Sequence, residues 1–259
     1  IGGLIVLGGL GFVPITELVR RAREKTRSPL SLPTRVALVV TASLRVVGWA
    51  GFAMREWHTT LAGLPWHEKL LAIWFQGITP RTAGFNTLDF GAMNPATLLC
   101  TMVLMFIGAS PGSTAGGVKT TTVGVLLAMI VAKIRTRRQV TIGRRGISGA
   151  TTSSAIVVVI LAAVVVLSGF ILVAHLGHPE GGGAGSRTLF LAEAFDVVSA
   201  FGTVGLSTGI TPQLPAGSWL VLTAIMFVGR VGPLTLVIAL AGRRARVEPL
   251  YAEEELMVG

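Results

Sequence analysis

The stretch R-T-A-G-F-N-T at residues 81–87 decides the fold, because its last six residues recur as T-V-G-L-S-T at residues 203–208. The two copies share the pattern T-x-G-[F/L]-[N/S]-T at an offset of 121 residues. A second pair stands in the same register, M-F-I-G at residues 105–108 and M-F-V-G at residues 226–229. Two separated matches in one register indicate an internal repeat.

A half-length apolar segment precedes each copy of the motif, at residues 66–79 and 188–201. Such a segment is too short to cross a hydrocarbon layer of ~30 Å as a helix. Longer apolar segments surround the two units, and the first of them begins without an initiator Met, so we expect it to be the interior of a longer chain and not a signal peptide. These predicted spans are residues 1–19 (a partial span), 36–54, 95–132 (broken in its middle), 148–175 and 216–241.

The composition indicates a membrane protein, with 51% hydrophobic residues, 13% charged residues and a mean hydropathy of +0.72. Fifteen of the 22 Lys and Arg residues lie in three clusters, at residues 20–35, 133–145 and 243–246. Only four, Arg81 among them, fall in the alternate polar loops. By the positive-inside rule the basic clusters and the C-terminus are cytoplasmic, so the net charge does not indicate nucleic acid as a partner.

The repeated loop has the properties of an ion filter. Non-helical backbone at membrane depth needs a polar partner for its carbonyl groups, and a dehydrated cation is such a partner. Gly84 and Gly205 leave the axis unobstructed, and each half-helix directs its partially negative C-terminal end toward the loop. The alternative is a pair of tight outer turns between spans, but an ordinary hairpin has no use for a half-helix.

The family is recognisable from R-T-A-G-F-N-T, from M-F-I-G-A-S-P-G-S-T-A-G-G-V-K-T at residues 105–120, and from S-A-F-G-T-V-G-L and G-R-V-G-P at residues 199–206 and 229–233. These motifs resemble the Trk/Ktr/HKT superfamily of potassium transporters, most closely the bacterial Ktr-type membrane subunit. The resemblance implies an all-α membrane protein of four potassium-channel-like repeats, each with a span, a pore half-helix, a filter loop and a second span. This chain would carry the last two repeats and the final helix of the second.

The resemblance also divides the chain and assigns its filter. The implied regions are residues 1–35 (last helix of the second repeat and a cytoplasmic loop), 36–147 (third repeat), 148–241 (fourth repeat) and 242–259 (cytoplasmic tail). The implied potassium filter residues are Thr82, Ala83, Gly84, Phe85, Thr203, Val204, Gly205 and Leu206.

Breaker and hydroxyl residues interrupt the outgoing helix of the third repeat, too densely for a simple packing kink. The resemblance implies that this segment is an intramembrane gating loop under the filter. The implied gating residues are Gly108, Ala109, Ser110, Pro111, Gly112, Ser113, Thr114, Ala115, Gly116, Gly117, Lys119 and Arg230. Arg230 lies mid-span, where a charge is costly, so our hypothesis is that it donates hydrogen bonds to carbonyls of residues 109–116. Lys119 either anchors the far side of the loop or extends to the interface.

The resemblance implies a homodimer in the cell membrane that conducts K⁺, with Na⁺ as a possible second ion. A cytoplasmic nucleotide-binding regulatory subunit of the KtrA or TrkA type would be its partner. No covalent cofactor, no resident metal and no enzymatic activity are expected. Two alternatives remain open: a secondary carrier for an organic solute, and a serine hydrolase on the G-x-S-x-G pattern at residues 108–112.

Three other residues leave alternatives open. Glu193 and Asp196 stand three positions apart on the second half-helix, where they either concentrate cations at the outer mouth or serve a structural role. Arg45 lies inside an apolar span, where it either pairs with Glu or carbonyl groups or marks a span shifted from the predicted bounds, and the resemblance assigns it no role.

Overall fold

The architecture is that of a computed structural model, which describes residues 1–24, 29–137, 139–143, 145–177, 186–232 and 235; the side chains of residues 186–188 are not described. In chain order its elements are α1 (Gly2–Leu10), α2 (Phe12–Glu24), α3 (Leu32–Glu56), α4 (Trp66–Gln76), the 3₁₀ turn η1 (Phe90–Ala92), α5 (Pro95–Phe106), α6 (Thr120–Ile134), β1 (Thr141–Ile142), β2 (Arg145–Gly146), α7 (Gly149–Gly177), α8 (Ser186–Gly202), the 3₁₀ turn η2 (Thr211–Gln213) and α9 (Ala216–Val231).

Helices α3 and α7 are the long spans of the two repeats, with 25 and 29 residues, and both are apolar enough to cross a membrane. At ~1.5 Å per residue, the 11 residues of α4 cover only about half of the ~30 Å hydrocarbon layer. Many apolar side chains of α7 are exposed, including Ile160, Leu167 and Ile171, as expected of a helix that faces lipid.

The two repeats agree closely in local geometry. The turns η1 and η2 are separated by the same 121 residues as the sequence motifs. Thr82 and Thr203 both have positive φ, 65° and 51°, and Gly84 and Gly205 follow with φ of 76° and 91°. Each unit therefore consists of a span, a half-helix, a left-handed loop and an outgoing helix, as the sequence predicts.

The first predicted span, residues 1–19, is not one helix. It divides into α1 and α2, which meet at 101°. The break lies at Gly11, where φ is 82° and a Cβ would stand 2.6 Å from the carbonyl oxygen of Pro111. This close approach to a residue 100 positions away requires glycine and ends the helix.

Helix α2 is short, amphipathic and basic, and a single carboxylate joins it to the start of α3. Glu17 accepts hydrogen bonds from the backbone N–H of Ser31 at 2.6 Å, from the Ser31 hydroxyl at 2.7 Å and from the Thr34 hydroxyl at 2.5 Å. The carboxylate thus satisfies three donors at the start of α3 and fixes the position of α2 against it.

Two further differences concern the ends of the repeats. The basic loop after α6 contains a short antiparallel hairpin of β1 and β2, paired Thr141 to Gly146, which the sequence analysis did not predict. The predicted final span, residues 216–241, is helical as α9 up to Val231 and is followed by Gly232 at φ 92°. Residues 233–234, 236–241 and the predicted tail at 242–259 lie outside the described residues.

Half-helix α8 lies at the centre of the core. Phe195 and Phe201 are fully buried, and each packs against an aromatic ring of the third repeat. The ring centroids of Phe90 and Phe195 are 5.5 Å apart, and those of Phe106 and Phe201 are 5.6 Å apart. These contacts hold the two filter loops side by side.

Candidate ion filter and gating loop

The filter loop of the third repeat is folded back onto its own half-helix. The carbonyl oxygen of Thr79 accepts hydrogen bonds from the N–H groups of Ala83 at 3.2 Å and Gly84 at 3.4 Å. The Thr79 hydroxyl donates to the carbonyl oxygen of Phe85. These bonds force the chain between them into a tight turn.

The fourth repeat holds its loop in a similar way through Ser199. The carbonyl oxygen of Ser199 accepts from the N–H of Val204 at 2.9 Å, and its hydroxyl accepts from the N–H of Gly205 at 3.2 Å. In both loops a β-branched residue, Thr82 or Thr203, has a left-handed conformation that normally costs free energy. Strain of this kind is concentrated at functional sites.

The two filter loops approach each other at Gly84. A Cβ built there would lie 2.0 Å from the carbonyl oxygen of Val204, so only glycine fits. The side chains of Val204 and Leu206 point the other way, into the core, where 5% and 3% of their surfaces are exposed. The backbone of each loop is thus presented to the other while the side chains support it from behind.

The loop carbonyls are the notable chemical feature. Within the described part of the chain, no hydrogen bond is accepted by the carbonyl oxygens of Thr82, Ala83, Gly84, Thr203, Val204, Gly205 or Leu206. The Phe85 carbonyl oxygen, in contrast, accepts a hydrogen bond from the Thr79 hydroxyl. Backbone carbonyls without a donor can coordinate a monovalent cation in place of its water.

Two polar side chains on the half-helices support the loops, and the sequence analysis did not predict their contacts. Buried Asp196 accepts from the Ser207 hydroxyl at 3.0 Å and from the Thr211 hydroxyl. Gln76, with its amide oxygen facing the loop, accepts from the N–H groups of Thr87 at 3.2 Å and of Leu88. These contacts favour the structural role of Asp196 over a role in concentrating cations.

The predicted gating segment is a compact loop, residues 108–117, closed at its base by Ile107 and Val118, whose backbones form a parallel bridge. The N–H of Val118 donates to the Phe106 carbonyl at 3.1 Å. The loop lies directly against the fourth filter segment, since the N–H of Gly116 donates to the Thr203 hydroxyl at 3.1 Å.

Helix α1 and its break also contact this loop. The N–H of Ser110 donates to the Gly9 carbonyl at 3.1 Å, and the N–H of Phe12 donates to the Gly112 carbonyl at 3.1 Å. The end of α1 therefore packs on the loop of the third repeat, close to Gly11, where the helix direction changes.

Three basic side chains donate to carbonyls of the loop. Arg230 donates to the Thr114 carbonyl, which is the type of contact that we hypothesised, and Lys119 donates to the Ala115 carbonyl, which is the anchoring alternative. The third is Arg81, and its position differs from the prediction that it is one of the charges in the alternate polar loops. It is 6% exposed and donates to the Gly108 carbonyl at 2.7 Å.

The serine hydrolase alternative receives no support from the geometry. Ser110 is fully buried and its hydroxyl accepts from the Thr120 hydroxyl at 3.2 Å. The described histidines, His58, His67 and His175, are exposed and lie near the ends of other helices. Among the described residues no cluster of His, Cys, Asp and Glu could hold a metal ion.

The family described as TrkH, cation transport protein, matches residues 4–244 of this chain. The chain belongs to the TrkH family. This confirms the resemblance, and a TrkH family member with helices of spanning length is a membrane protein. The roles predicted for individual filter and gating residues stay predictions.

Several proteins are similar to this TrkH family member over nearly its whole length. The Ktr system potassium uptake protein B of Bacillus subtilis (strain 168) is 37% identical over 258 residues, which are 99% of this chain and 55% of that protein. The potassium/sodium uptake protein NtpJ of Enterococcus hirae is 36% identical over 263 residues, 100% of this chain and 56% of that protein. The chain spans about half the length of the curated relatives it matches.

A solved structure supports the fold. The crystal structure of the potassium transporter TrkH from Vibrio parahaemolyticus superposes with a TM-score of 0.69 at 18% identity, covering 92% of this chain and 50% of that one. The likeness confirms the predicted architecture of potassium-channel-like repeats, and at this identity it concerns the fold alone.

Proposed function

We propose that this chain is part of the membrane-spanning, ion-translocating subunit of a potassium uptake system, and that it supplies two of four filter segments. The observation that carries the proposal is the set of loop carbonyls without a hydrogen-bond donor, presented at the ends of two half-helices. In a membrane such carbonyls are costly unless an ion coordinates them. K⁺ is the proposed ion, as the names of the similar proteins suggest, and Na⁺ is a second transported or modulating ion.

The proposed gate is the loop at residues 108–117. In the present position it lies against Thr203, and Lys119 and Arg230 place two positive charges beside it. Both the loop and these charges oppose the passage of a cation, so conduction requires the loop to move aside. Its contacts with α1 are hydrogen bonds between backbone groups, which can break without exposing a charge. Helix α9 contributes one backbone acceptor, the Gly229 carbonyl, and the charged side chain of Arg230.

We further propose the assembly that the family resemblance implies. The full-length protein is a homodimer in the cell membrane, with the basic loops and the C-terminus in the cytoplasm beside a nucleotide-binding regulatory subunit. The division at residues 35, 147 and 241 is part of the same proposal. No covalent cofactor and no enzymatic activity are proposed.

The test is ion uptake by the full-length protein in cells that lack their own potassium transporters. Growth at low K⁺ and uptake of Rb⁺ are expected, whereas this chain alone should give neither, because it has two filter segments. Uptake of K⁺, Rb⁺, Na⁺ and a set of amino acids is compared. Amino-acid flux without Rb⁺ flux would indicate the secondary carrier instead, and robust Rb⁺ uptake by this chain alone would contradict the four-segment filter.

A further inference from the structure

We propose that Arg81 is a positioning residue that anchors the upstream end of the gating loop to the third filter segment. The inference rests on the proposed function of the loop and assigns a role to a residue outside the predicted site. Arg81 directly precedes Thr82, the first filter residue, and its side chain reaches the first residue of the gating loop. One residue thus joins filter and gate.

The contacts of Arg81 are specific. Its Nη2 donates to the Gly108 carbonyl at 2.7 Å and its Nη1 to the Thr41 carbonyl on α3 at 3.5 Å. Its own N–H donates to the Ile78 carbonyl at 3.2 Å. Among the described residues no carboxylate lies within 4.0 Å of its guanidinium, so main-chain oxygens are its partners.

The Gly108 carbonyl needs this donor because the helix has already ended. Helix α5 stops at Phe106, and Ile107 has φ −86° and ψ 90°, outside the helical region. The N–H groups that would continue the ladder are therefore turned elsewhere, and within the described chain only Arg81 donates to Gly108. A buried carbonyl without a donor is costly, so the bond favours the present position of Gly108.

The internal repeat provides a comparison. The position equivalent to Arg81 in the fourth repeat is Gly202, where a Cβ would stand 2.5 Å from the Met105 carbonyl. In that repeat the outgoing helix α9 continues past Phe227, the equivalent of Phe106, and ends at Val231. The arginine is present in the repeat whose outgoing helix is interrupted and absent from the one whose helix continues.

A second arginine lies near the first. Arg45 is half-buried on α3 and lines a narrow cavity with Arg81, Thr41 and Ala109. Its Nε has no hydrogen-bond partner among the described atoms. The two like charges repel each other across this cavity. The bond between Arg81 and the Gly108 carbonyl confines loop movement to the residues after Gly108, so that the filter stays in place when the gate moves.

The experiment measures loop position and flux in the full-length protein. A cysteine at Thr114, whose side chain is exposed, reports loop mobility through its rate of modification by a water-soluble thiol reagent, with Cys100 and any other cysteine replaced. Arg81→Gln should raise this rate about tenfold, the effect of losing one buried hydrogen bond to a charged donor. The maximal Rb⁺ uptake rate per molecule in the membrane should rise, with KM changed less than about twofold.

Arg81→Lys keeps one donor for the Gly108 carbonyl and should raise the rate of thiol modification only about threefold. Arg55→Gln, which removes an exposed arginine of α3, is the matched control and should leave the rate of thiol modification and the uptake of Rb⁺ unchanged. If Arg81→Gln does not reach the membrane, Arg81→Lys decides the question by the same measurement.

An unchanged modification rate in the Arg81 variants overturns the proposal, as does a fall in uptake that only follows a fall in protein abundance. Failure of the proposed function would look different, because the wild-type protein would then take up no Rb⁺ while the thiol measurement on purified protein would still test the Arg81 anchor.

Discussion

Replacing Gly84 by alanine is the most direct test of the filter geometry. The backbone there has φ 76°, which costs a residue with a Cβ about 1–2 kcal/mol. The new Cβ would also stand 2.0 Å from the Val204 carbonyl oxygen, so that oxygen must move by roughly 1.5 Å to restore an ordinary contact. Together the two effects disfavour the native filter geometry by at least about 2 kcal/mol, or ~30-fold.

The assay is uptake of Rb⁺ and Na⁺ by the full-length Gly84→Ala protein, expressed per molecule in the membrane. Because Val204 belongs to the other repeat, the displacement spreads to both filter segments, and the ratio of Rb⁺ to Na⁺ uptake should fall with the rate. Gly63→Ala is the control, since a Cβ at Gly63 meets nothing within 4 Å. Unchanged rate and ion ratio in Gly84→Ala would refute the claim that these two loops form one filter.

Three further changes test the surrounding supports. Asp196→Ala removes the acceptor for the hydroxyls of Ser207 and Thr211, so the ratio of Rb⁺ to Na⁺ uptake should fall severalfold. Asp196→Asn should retain most of the wild-type ratio. Equal ratios in both variants and the wild type would contradict the supporting role. Glu56→Ala leaves three donors at the C-terminal end of α3 without an acceptor, the hydroxyls of Thr60 and Thr97 and the N–H of Asn94. It should lower stability by about 2–4 kcal/mol in thermal unfolding, against no change for exposed Glu68→Ala. Glu17→Gln should lower the melting temperature, because a carboxamide has one acceptor oxygen in place of the two that accept from Ser31 and Thr34. An unchanged melting temperature would argue against the carboxylate contacts.

The repeat architecture was predictable because its signals are local. The half-helices are recognisable by length, the filter by T-x-G, and the interruption after Phe106 by its density of breakers. Even the contact of Arg230 with Thr114 follows from the repeat alignment, since it places Arg230 opposite Ala109 at the same depth.

What escaped prediction depends on contacts between distant residues. Arg81 follows a half-helix and precedes a polar loop, so sequence order places it outside the membrane; it is buried because the chain re-enters toward Gly108. The break at Gly11 has Pro14 as a second breaker nearby, but what fixes glycine at the break is the close carbonyl of Pro111, which sequence order does not reveal. The supporting contacts of Gln76 and Asp196 likewise depend on how the return loops fold back, which no spacing rule specifies.

The basic side chains at the proposed gating loop donate hydrogen bonds to backbone carbonyl oxygens, and the chemistry of these acceptors limits which signals can move the loop. An amide carbonyl neither gains nor loses a proton in the physiological range, so acidification has no titratable partner to act on at these bonds. A permeating cation, in contrast, is coordinated by the same kind of oxygen that accepts hydrogen bonds from Arg81, Lys119 and Arg230. In the proposed function a cation competes with the basic side chains for such oxygens, so ion occupancy and loop position are thermodynamically linked, and a change in one shifts the equilibrium of the other.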